Sequence, residues 1–232
     1  MIFWAVLAFG MGAGFASLGF WQWGRATQKQ DWLDAYTAAL NAPAIDLKQA
    51  LPELPLAMPV RVEGSLHWLD QSLLFLDGQQ REGQVGVRVY SLVRANEGAP
   101  ALLVELGWLP FEAARGLPSL HRPTNIAQTQ GLLLPWPSQG LRLAENQWGN
   151  PTQPQLLAYL DRNEIERATG LRLYDGVLRP DPDVELGAQR DAVALPNTLP
   201  PAQHRGYAVQ WWALSLTTVV AFLILFWRRR TK

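Results

Sequence analysis

A histidine, a tyrosine and a tryptophan stand at helical spacing beside a long apolar run near the end of the chain. They are His204, Tyr207 and Trp211, and Gln210 lies among them. Residues three and seven positions apart share one face of a helix, so this face would carry an imidazole, a phenol and an indole. Tyrosine and tryptophan are common at a membrane interface, whereas polar groups such as His204 and Gln210 are costly there and tend to have a partner.

A second polar stretch with the same spacing follows the apolar run at the start of the chain. Gln22, Arg25 and Lys29 would place an amide and two cations on one helix face, with Trp21 and Trp23 beside them. If the two stretches faced each other, they would supply an imidazole for iron, flat apolar walls for a macrocycle and cations for its propionates, as a haem site requires. The same groups would also suit a lipid or quinone headgroup, and the spacing does not separate these ligands.

Both stretches border segments that are long enough to cross a membrane. Residues 2–24 and 207–227 contain no Lys, Arg, Asp, Glu or His, and about 20 apolar residues suffice for a helix to span the hydrocarbon core. The first segment lacks basic residues before it, which favours an uncleaved anchor over a signal peptide. Gly10 and Gly14 form a GxxxG-like step, which predicts a face where the first helix approaches the second closely.

The charged residues limit the topology and the class of partner. Arg228, Arg229 and Arg230 follow the second span. Basic residues beside a span tend to stay in the cytoplasm, so both termini are predicted to be cytoplasmic and the middle domain to lie outside. Four of the 20 basic residues lie in the tail, which leaves 16 in the middle domain against 20 acidic ones. This mildly acidic balance argues against nucleic-acid binding. The lack of cysteine excludes disulfides, thiolate metal sites and CxxCH haem attachment.

Alternating and continuous apolar runs predict a mostly antiparallel β domain between the spans. Strands are predicted over 59–66, 72–77, 86–94, 101–110, 126–134, 155–160 and 171–178, with turn-like connections at 77–83 and 96–98. One short helix is predicted to begin after Asp161, which forms a capping-box variant with Glu164, and to stop at Gly170.

These elements predict a membrane protein of the α+β class. Its N- and C-terminal transmembrane helices flank a mostly antiparallel, β-rich extracytoplasmic domain with one or two short helices. The predicted segments are a first transmembrane helix at 2–24, a helical extension and proline-rich connector at 25–58, the β-rich domain at 59–178, a second connector at 179–203, a second transmembrane helix at 204–227 and a basic cytoplasmic tail at 228–232.

The middle domain lacks the residue patterns of an enzyme. His67 and His121 are isolated in sequence, and each is interpreted as an ordinary core or surface histidine. No HExxH, HxH, GxSxG, P-loop or GxGxxG pattern occurs. The sequence therefore gives no positive evidence for catalysis by side chains of this domain, and the protein is not expected to be an enzyme.

The two polar stretches resemble the ends of the surfeit-locus family of cytochrome c oxidase assembly proteins. The family's Leu-Gly-x-Trp-Gln-x-x-Arg start and His-x-x-Tyr-Ala-x-x-Trp end are matched in "LGFWQWGRATQK" and "HRGYAVQWWALSL" by Leu18, Gly19, Trp21, Gln22, Arg25, His204, Tyr207, Ala208 and Trp211. The internal stretches "VRVEGSL" and "LLVELGWLP" are similar to family strands. Where the family commonly reads Asn-Arg-Gly-Trp, this chain has Glu105 and Leu106 before the Gly-Trp pair, so the family's contacts through that Asn-Arg pair cannot be carried over.

The resemblance implies an assembly factor that helps to deliver or insert haem a into the catalytic subunit of haem-copper oxidase. It implies that His204 is an axial ligand of the haem iron in transient binding, with Tyr207 and Trp211 as walls. Arg25 would contact a propionate or a partner. The further candidates for partner or interface contacts are Trp21, Gln22, Gln210 and Trp108.

The implied partners are the catalytic subunit of cytochrome c oxidase, other assembly factors and membrane lipid, and nucleic acid is not among them. The implied location is the bacterial inner membrane, with two spans, cytoplasmic termini and a periplasmic central domain. One alternative is a scaffold for oxidase assembly that grips a subunit through its helices and binds no haem. Another is a membrane-anchored extracytoplasmic enzyme or sensor with a cleft in the β domain.

Overall fold

The computed structural model describes two compact units of the chain. The described residues are 2–53, 55–112, 115–120, 126–137, 145–150, 152–190 and 199–230. One unit combines the chain up to Asp34 with the chain from Thr198 onward, and the other is Ala35–Asn197. Long apolar helices at both ends and a sheet domain with short helices confirm the predicted α+β membrane class.

The elements follow one another in the predicted pattern of helix, strands and helix. In chain order they are α1 Ile2–Leu40, β1 Ile45–Asp46, α2 Leu47–Ala50, a 3-10 turn Leu51–Glu53, β2 Val60–Trp68, β3 Leu74–Arg81, β4 Gln84–Arg94, β5 Ala101–Pro110, β6 Ile126–Pro135, β7 Gln155–Leu157, α3 Arg162–Thr169, β8 Leu173–Pro180 and α4 Pro201–Arg230.

The helices α1 and α4 are long and apolar enough to cross a membrane. They contain 39 and 30 residues. At ~1.5 Å per residue, each exceeds a hydrocarbon core of roughly 30 Å. α1 continues past its apolar run to Leu40, as the absence of proline before Pro43 predicts. Pro201 is the first residue of α4, a position where the missing N–H of proline costs no helical hydrogen bond.

Most strand pairs are antiparallel, as predicted, and five strands close into a ring. The sheet runs in the order β1-β2-β6-β8-β5-β4-β3-β7. The end of β2 also pairs with the end of β4 through His67 opposite Arg94 and Trp68 opposite Val93, which closes β2, β6, β8, β5 and β4 into a small barrel. The parallel pairs among the described strands are β1–β2, β3–β7 and β5–β8.

The barrel has an apolar interior and an apolar patch on its outer face. Val62, Val89, Val104, Leu133 and Leu178 belong to one buried cluster that takes residues from all five ring strands, so this cluster fills the interior. Residues of the short helix α2 join it. A second cluster lies on the opposite faces of β4 and β5, where α3 and β7 cover the sheet.

The short helix α3 has the ends that the sequence predicts. The Asp161 carboxylate accepts a hydrogen bond from the Glu164 N–H at 3.1 Å. Gly170 adopts the left-handed conformation at the other end, and its N–H donates to the Glu166 carbonyl oxygen. Both contacts pair backbone groups that a helix leaves open at its ends.

The predicted turn at 77–83 is wrong over most of its length. β3 continues through Arg81, after an irregularity in its pairing with β4 between Leu76 and Gln79. Gly78, at a φ of 69°, lies in this irregularity, and the turn itself is Glu82 and Gly83, both with positive φ. A glycine in a polar stretch reads as a turn in sequence, whereas here it marks a bulge inside a strand.

A buried ion cluster lies on the outer face of the barrel. Glu105 on β5 is 6% exposed, and its carboxylate accepts hydrogen bonds from Arg179 on β8 at 2.9 and 3.2 Å. Arg88 on β4 lies 3.6 Å from the same carboxylate. Arg179 also donates to the hydroxyl of Tyr36, near the end of α1. Burial alone would lower the pKa of Arg179, but the Glu105 carboxylate and Tyr36 raise it.

The residues beside Glu105 are also buried. Leu106 lies in the barrel interior, and its carbonyl oxygen accepts a hydrogen bond from Arg190 at 2.6 Å. Trp108 is buried, and its indole N–H donates to the carbonyl oxygen of Gln79. The carboxylate and aliphatic side chain that replace the family's Asn-Arg pair therefore both have a defined place in this fold.

Replacing Glu105 by glutamine is expected to destabilise the β domain by about 3 kcal/mol, because it removes the buried negative charge that faces the half-buried Arg88 and Arg179. The measurement is urea unfolding of the full chain in detergent, followed by circular dichroism. The matched control is Asp175→Asn, which breaks a pair with Arg162 that is more than a third exposed, and should cost at most ~1 kcal/mol. Equal effects of the two substitutions would contradict the importance of the buried cluster.

Glu164 is the acceptor of a small hydrogen-bond network beside α3. Its carboxylate accepts hydrogen bonds from the Tyr159 hydroxyl, the Asn146 amide and the Trp148 indole. Burial alone would raise the pKa of Glu164, but the three hydrogen bonds outweigh burial and hold the pKa below its ordinary value of 4.5. The network therefore stabilises the fold when this carboxyl group is ionised.

The contribution of Glu164 to stability is expected to be complete above pH 4.5 and to be lost as the pH falls through its lower folded-state pKa. Urea midpoints of the parent and Glu164→Gln should therefore differ most near neutral pH and converge in acid. Glu97→Gln, at an exposed turn position, is the control. A difference between the parent and Glu164→Gln that stays constant down to the acid limit would show that the network does not depend on the charge.

Candidate functional site

Close contacts between α1 and α4 set the frame of the candidate site. The Ser215 hydroxyl donates to the Gly12 carbonyl oxygen at 2.7 Å, and a Cβ at Gly12 would lie 3.1 Å from Val219. An added Cβ at Gly19 would overlap the Trp212 indole. Because these glycines are seven residues apart, they lie on one helix face, and their small size allows the close approach.

The predicted contact at Gly10 and Gly14 is wrong. Neither glycine has an atom within 4 Å of an added Cβ, in contrast to Gly12 and Gly19. The four-residue step exists in the sequence, but it lies on a face of α1 that the described part of α4 does not approach. The rotation of α1 about its axis, which the spacing does not reveal, decides which glycines are used.

Aromatic rings pack along the same helix pair. Trp211 stacks on Phe15 with 5.7 Å between ring centroids. Trp212 lies 5.5 Å from Phe20 and 5.8 Å from Trp23, measured between centroids. These pairs bury apolar area on both helices and add a preferred geometry.

His204 and Gln22 meet near the N-terminal end of α4. The His204 Nδ1 lies 2.7 Å from the Gln22 Oε1, which is a short hydrogen-bond distance. The histidine is only 7% exposed. Its other ring nitrogen, Nε2, is buried and has no hydrogen-bond partner among the described residues. A buried polar atom without a partner is uncommon and calls for an explanation such as a ligand.

A cavity of about 330 Å³ lies beside this histidine. It is lined by Trp21, Arg25, Lys29, Leu199 and His204. The Lys29 ammonium donates to the Leu199 carbonyl oxygen at 2.7 Å. The volume of the cavity is at the lower end of the range for ligand cavities, which is roughly 300–1,000 Å³. The cavity can therefore enclose only part of a large ligand.

The chemical character of the cavity suits an anionic, metal-bearing ligand. One imidazole nitrogen is unpaired, an indole supplies an apolar wall, and two cations line the same space. Arg25 donates to the Gln28 side chain and forms no ion pair with a carboxylate in the described part of the chain. Within those same residues, no three His, Asp or Glu side chains form a group that could hold a bare metal ion.

The structure brings some predicted site residues together and separates others. Trp21 and Arg25 line the cavity with His204, and Gln22 contacts the ring of this histidine. The remaining candidates, which do not line the cavity, are Tyr207, Gln210, Trp211 and Trp108. Of these, Tyr207 is 42% exposed and Gln210 is exposed, whereas Trp211 stacks on Phe15 and Trp108 is buried inside the β domain.

The sequence analysis did not predict two features of the site. The spacing places Gln22 and His204 on helix faces, but gives no sign that they pair with each other. Leu199 contributes through a backbone carbonyl, for which its residue type gives no signal. Of the two isolated histidines, His67 is an exposed strand residue, and His121 lies outside the described residues.

Gly19→Ala is expected to weaken the packing of α1 against α4, because the new methyl group overlaps Trp212. The chain has no cysteine, so Phe9→Cys with Phe222→Cys adds the only thiols, at two rings 5.8 Å apart. The yield of a short bis-maleimide cross-link in membranes should fall with Gly19→Ala. It should be unchanged with the matched control Gly14→Ala, and equal yields in both would contradict the described contact.

Comparison with known proteins finds similarity along most of the chain. A model of the SURF1 family matches residues 9–216, a range that includes the residues of both helices that line the cavity. The chain is also similar to a SURF1-like protein of Rickettsia conorii (strain ATCC VR-613 / Malish 7), with 25% identity over 228 residues, 92% of this chain and 86% of the relative. The chain belongs to the SURF1 family, a family of cytochrome oxidase assembly factors.

Proposed function

We propose that this protein assists the assembly of haem-copper cytochrome c oxidase by holding haem a transiently and delivering it to the catalytic subunit. His204 would hold the haem iron through Nε2. Arg25 and Lys29 would face the propionates, and Trp21 would lie against the macrocycle. The family is one of assembly factors and not of enzymes, so the haem is proposed as cargo and no reaction is assigned to it.

The unpaired Nε2 of His204 is the observation that carries the proposal. This nitrogen is buried and has no described partner, while the same ring is held by Gln22 at its other nitrogen. A neutral imidazole nitrogen with a free lone pair is a preferred ligand for haem iron. The surrounding cavity adds two cations and an indole, which match the propionates and the ring of the cargo.

Transient binding is consistent with the size of the cavity and the number of ligands. A cavity of about 330 Å³ would leave much of a haem uncovered, and one histidine would supply one bond to the iron. The part of the haem that the cavity does not enclose would be available to the catalytic subunit. We therefore infer that Trp21 and the exposed Tyr207 and Gln210 contact the catalytic subunit, other assembly factors or lipid, and that Trp211 supports them through its stack on Phe15.

The proposed location is the bacterial inner membrane. The Arg228–Arg230 cluster at the C-terminal end of α4 favours cytoplasmic termini, and the β domain would then lie in the periplasm. The cavity, near the opposite end of α4 from this cluster, would then lie at the periplasmic side of the bilayer.

His204→Ala is expected to remove haem from the protein. The full chain is expressed in cells that make haem a and purified in detergent, and its visible spectrum is compared with that of the variant. A haem band should accompany the parent and be lost or strongly reduced in His204→Ala. His67→Ala removes an exposed histidine of the β domain and is the matched control, which should retain the band.

Two outcomes would overturn the proposal. If the parent binds no haem during expression or when haem is added, the protein acts on oxidase assembly as a scaffold without cargo. If the parent binds haem and His204→Ala binds it equally, the ligand is another residue.

A further inference from the structure

We propose that Gln22 is a positioning residue for His204: its side-chain oxygen accepts the Nδ1–H, and this leaves the lone pair of Nε2 free for the iron of the cargo. This inference rests on the proposed function for its ligand. The state of the ring that it describes belongs to the protein itself and can be measured without haem.

The geometry of the pair determines the proton position. The His204 Nδ1 and the Gln22 Oε1 are 2.7 Å apart. An amide oxygen can only accept a hydrogen bond, so the proton of this bond lies on Nδ1. A neutral imidazole carries one N–H, and its Nε2 is then an acceptor with an in-plane lone pair.

The opposite tautomer would be poorly satisfied in the same place. With the amide rotated, the Gln22 NH2 group would donate to Nδ1, and the proton would lie on Nε2. That nitrogen is buried without a partner among the described residues. A buried N–H without an acceptor is rare in proteins, because the group loses its hydrogen bond to water and gains none in return. The free lone pair of the first tautomer instead gives a ligand a place to bind.

Contacts between the two helices on either side of Gln22 and His204 fix the positions of these residues along the helix pair. Toward the middle of the helices, Gly19 packs against the Trp212 indole. On the other side of Gln22, the Lys29 ammonium bonds to the Leu199 carbonyl oxygen, just before α4 begins. Gln22 lies between these contacts, so its amide cannot shift along α4 without breaking one of them.

An amide suits transient binding better than a carboxylate would. Histidines that bind metals usually donate their second N–H to a carboxylate, a carbonyl or water, and this partner orients the ring and raises its basicity. A neutral amide oxygen orients the ring in the same way but polarises it less than a charged carboxylate does. Gln22 is therefore expected to fix the direction of the Nε2 lone pair while keeping the iron bond weak enough for release.

The first experiment measures the tautomer in the haem-free full chain. Protein labelled with 15N-histidine is prepared in detergent, and the ring nitrogens are observed by NMR at a pH where the ring is neutral. The chain has three histidines, so the signals missing from His204→Ala identify His204. The parent should show a protonated Nδ1 and an unprotonated Nε2. Gln22→Leu should lose this preference, and Gln22→Glu should keep it.

The second experiment measures haem binding by titration with haem a. Gln22→Leu should raise the Kd about tenfold or more, in the range found when the partners of metal-binding histidines are removed. Gln22→Glu should lower the Kd and shift the reduction potential of the bound iron to a more negative value, because a carboxylate makes the imidazole a stronger donor. Gln84→Leu changes an exposed glutamine at the start of β4 in the β domain and is the matched control, expected to bind as the parent does.

The two measurements separate the failure of this inference from the failure of the proposed function. A parent with the proton on Nε2 overturns the inference whether or not haem binds. A parent with the expected tautomer and equal haem affinity in Gln22→Leu overturns the positioning role. The expected tautomer in a parent that binds no haem leaves the hydrogen bond correct and the cargo wrong, which overturns the proposed function and the purpose given to Gln22.

Discussion

The close packing of α1 and α4 at Gly12 and Gly19 is the contact on which the candidate site depends. Without it, Gln22 and His204 would belong to two separate helices in the membrane. Small residues allow the backbones to approach, so that Ser215 can reach a carbonyl oxygen of α1 at 2.7 Å. In a lipid environment such packing and hydrogen bonding replace the hydrophobic effect as the force between helices. The amide of Gln22 and the Nδ1 of His204 then pair with each other inside protein and not in hydrocarbon.

The β domain solves a different problem, the placement of charge on the outer face of a small barrel. Glu105 accepts bonds from Arg179 and lies near Arg88 on the neighbouring strand, so one buried carboxylate serves two half-buried cations. A buried pair of this kind contributes little by itself, but removing one partner is costly. The cluster also includes Tyr36, which links the last turns of α1 to β8 within the domain. Glu105, which departs from the family pattern, is thus held in the domain by its contacts with neighbouring side chains.

Local patterns predicted the elements well because their causes are local. Alternating and continuous apolar runs located the seven strands β2 to β8 within a few residues, and Asp161 and Gly170 marked both ends of α3. The prediction failed where a structural feature depends on residues distant in sequence or on the three-dimensional arrangement of the elements. Ring closure rests on the pairing of His67 with Arg94, which no local pattern announces. The glycines used in helix packing depend on the rotation of α1, and the bulge at Gly78 looks like a turn in sequence.

The hydrogen bond between Gln22 and His204 joins residues 182 positions apart in the chain. During synthesis α1 is made before the β domain, and α4 is made only after it. A truncated or stalled chain can contain the entire β domain and still lack half of the cavity. The site thus forms only after the β domain has been made, and a molecule able to receive a ligand there is by necessity one whose synthesis has passed through α4.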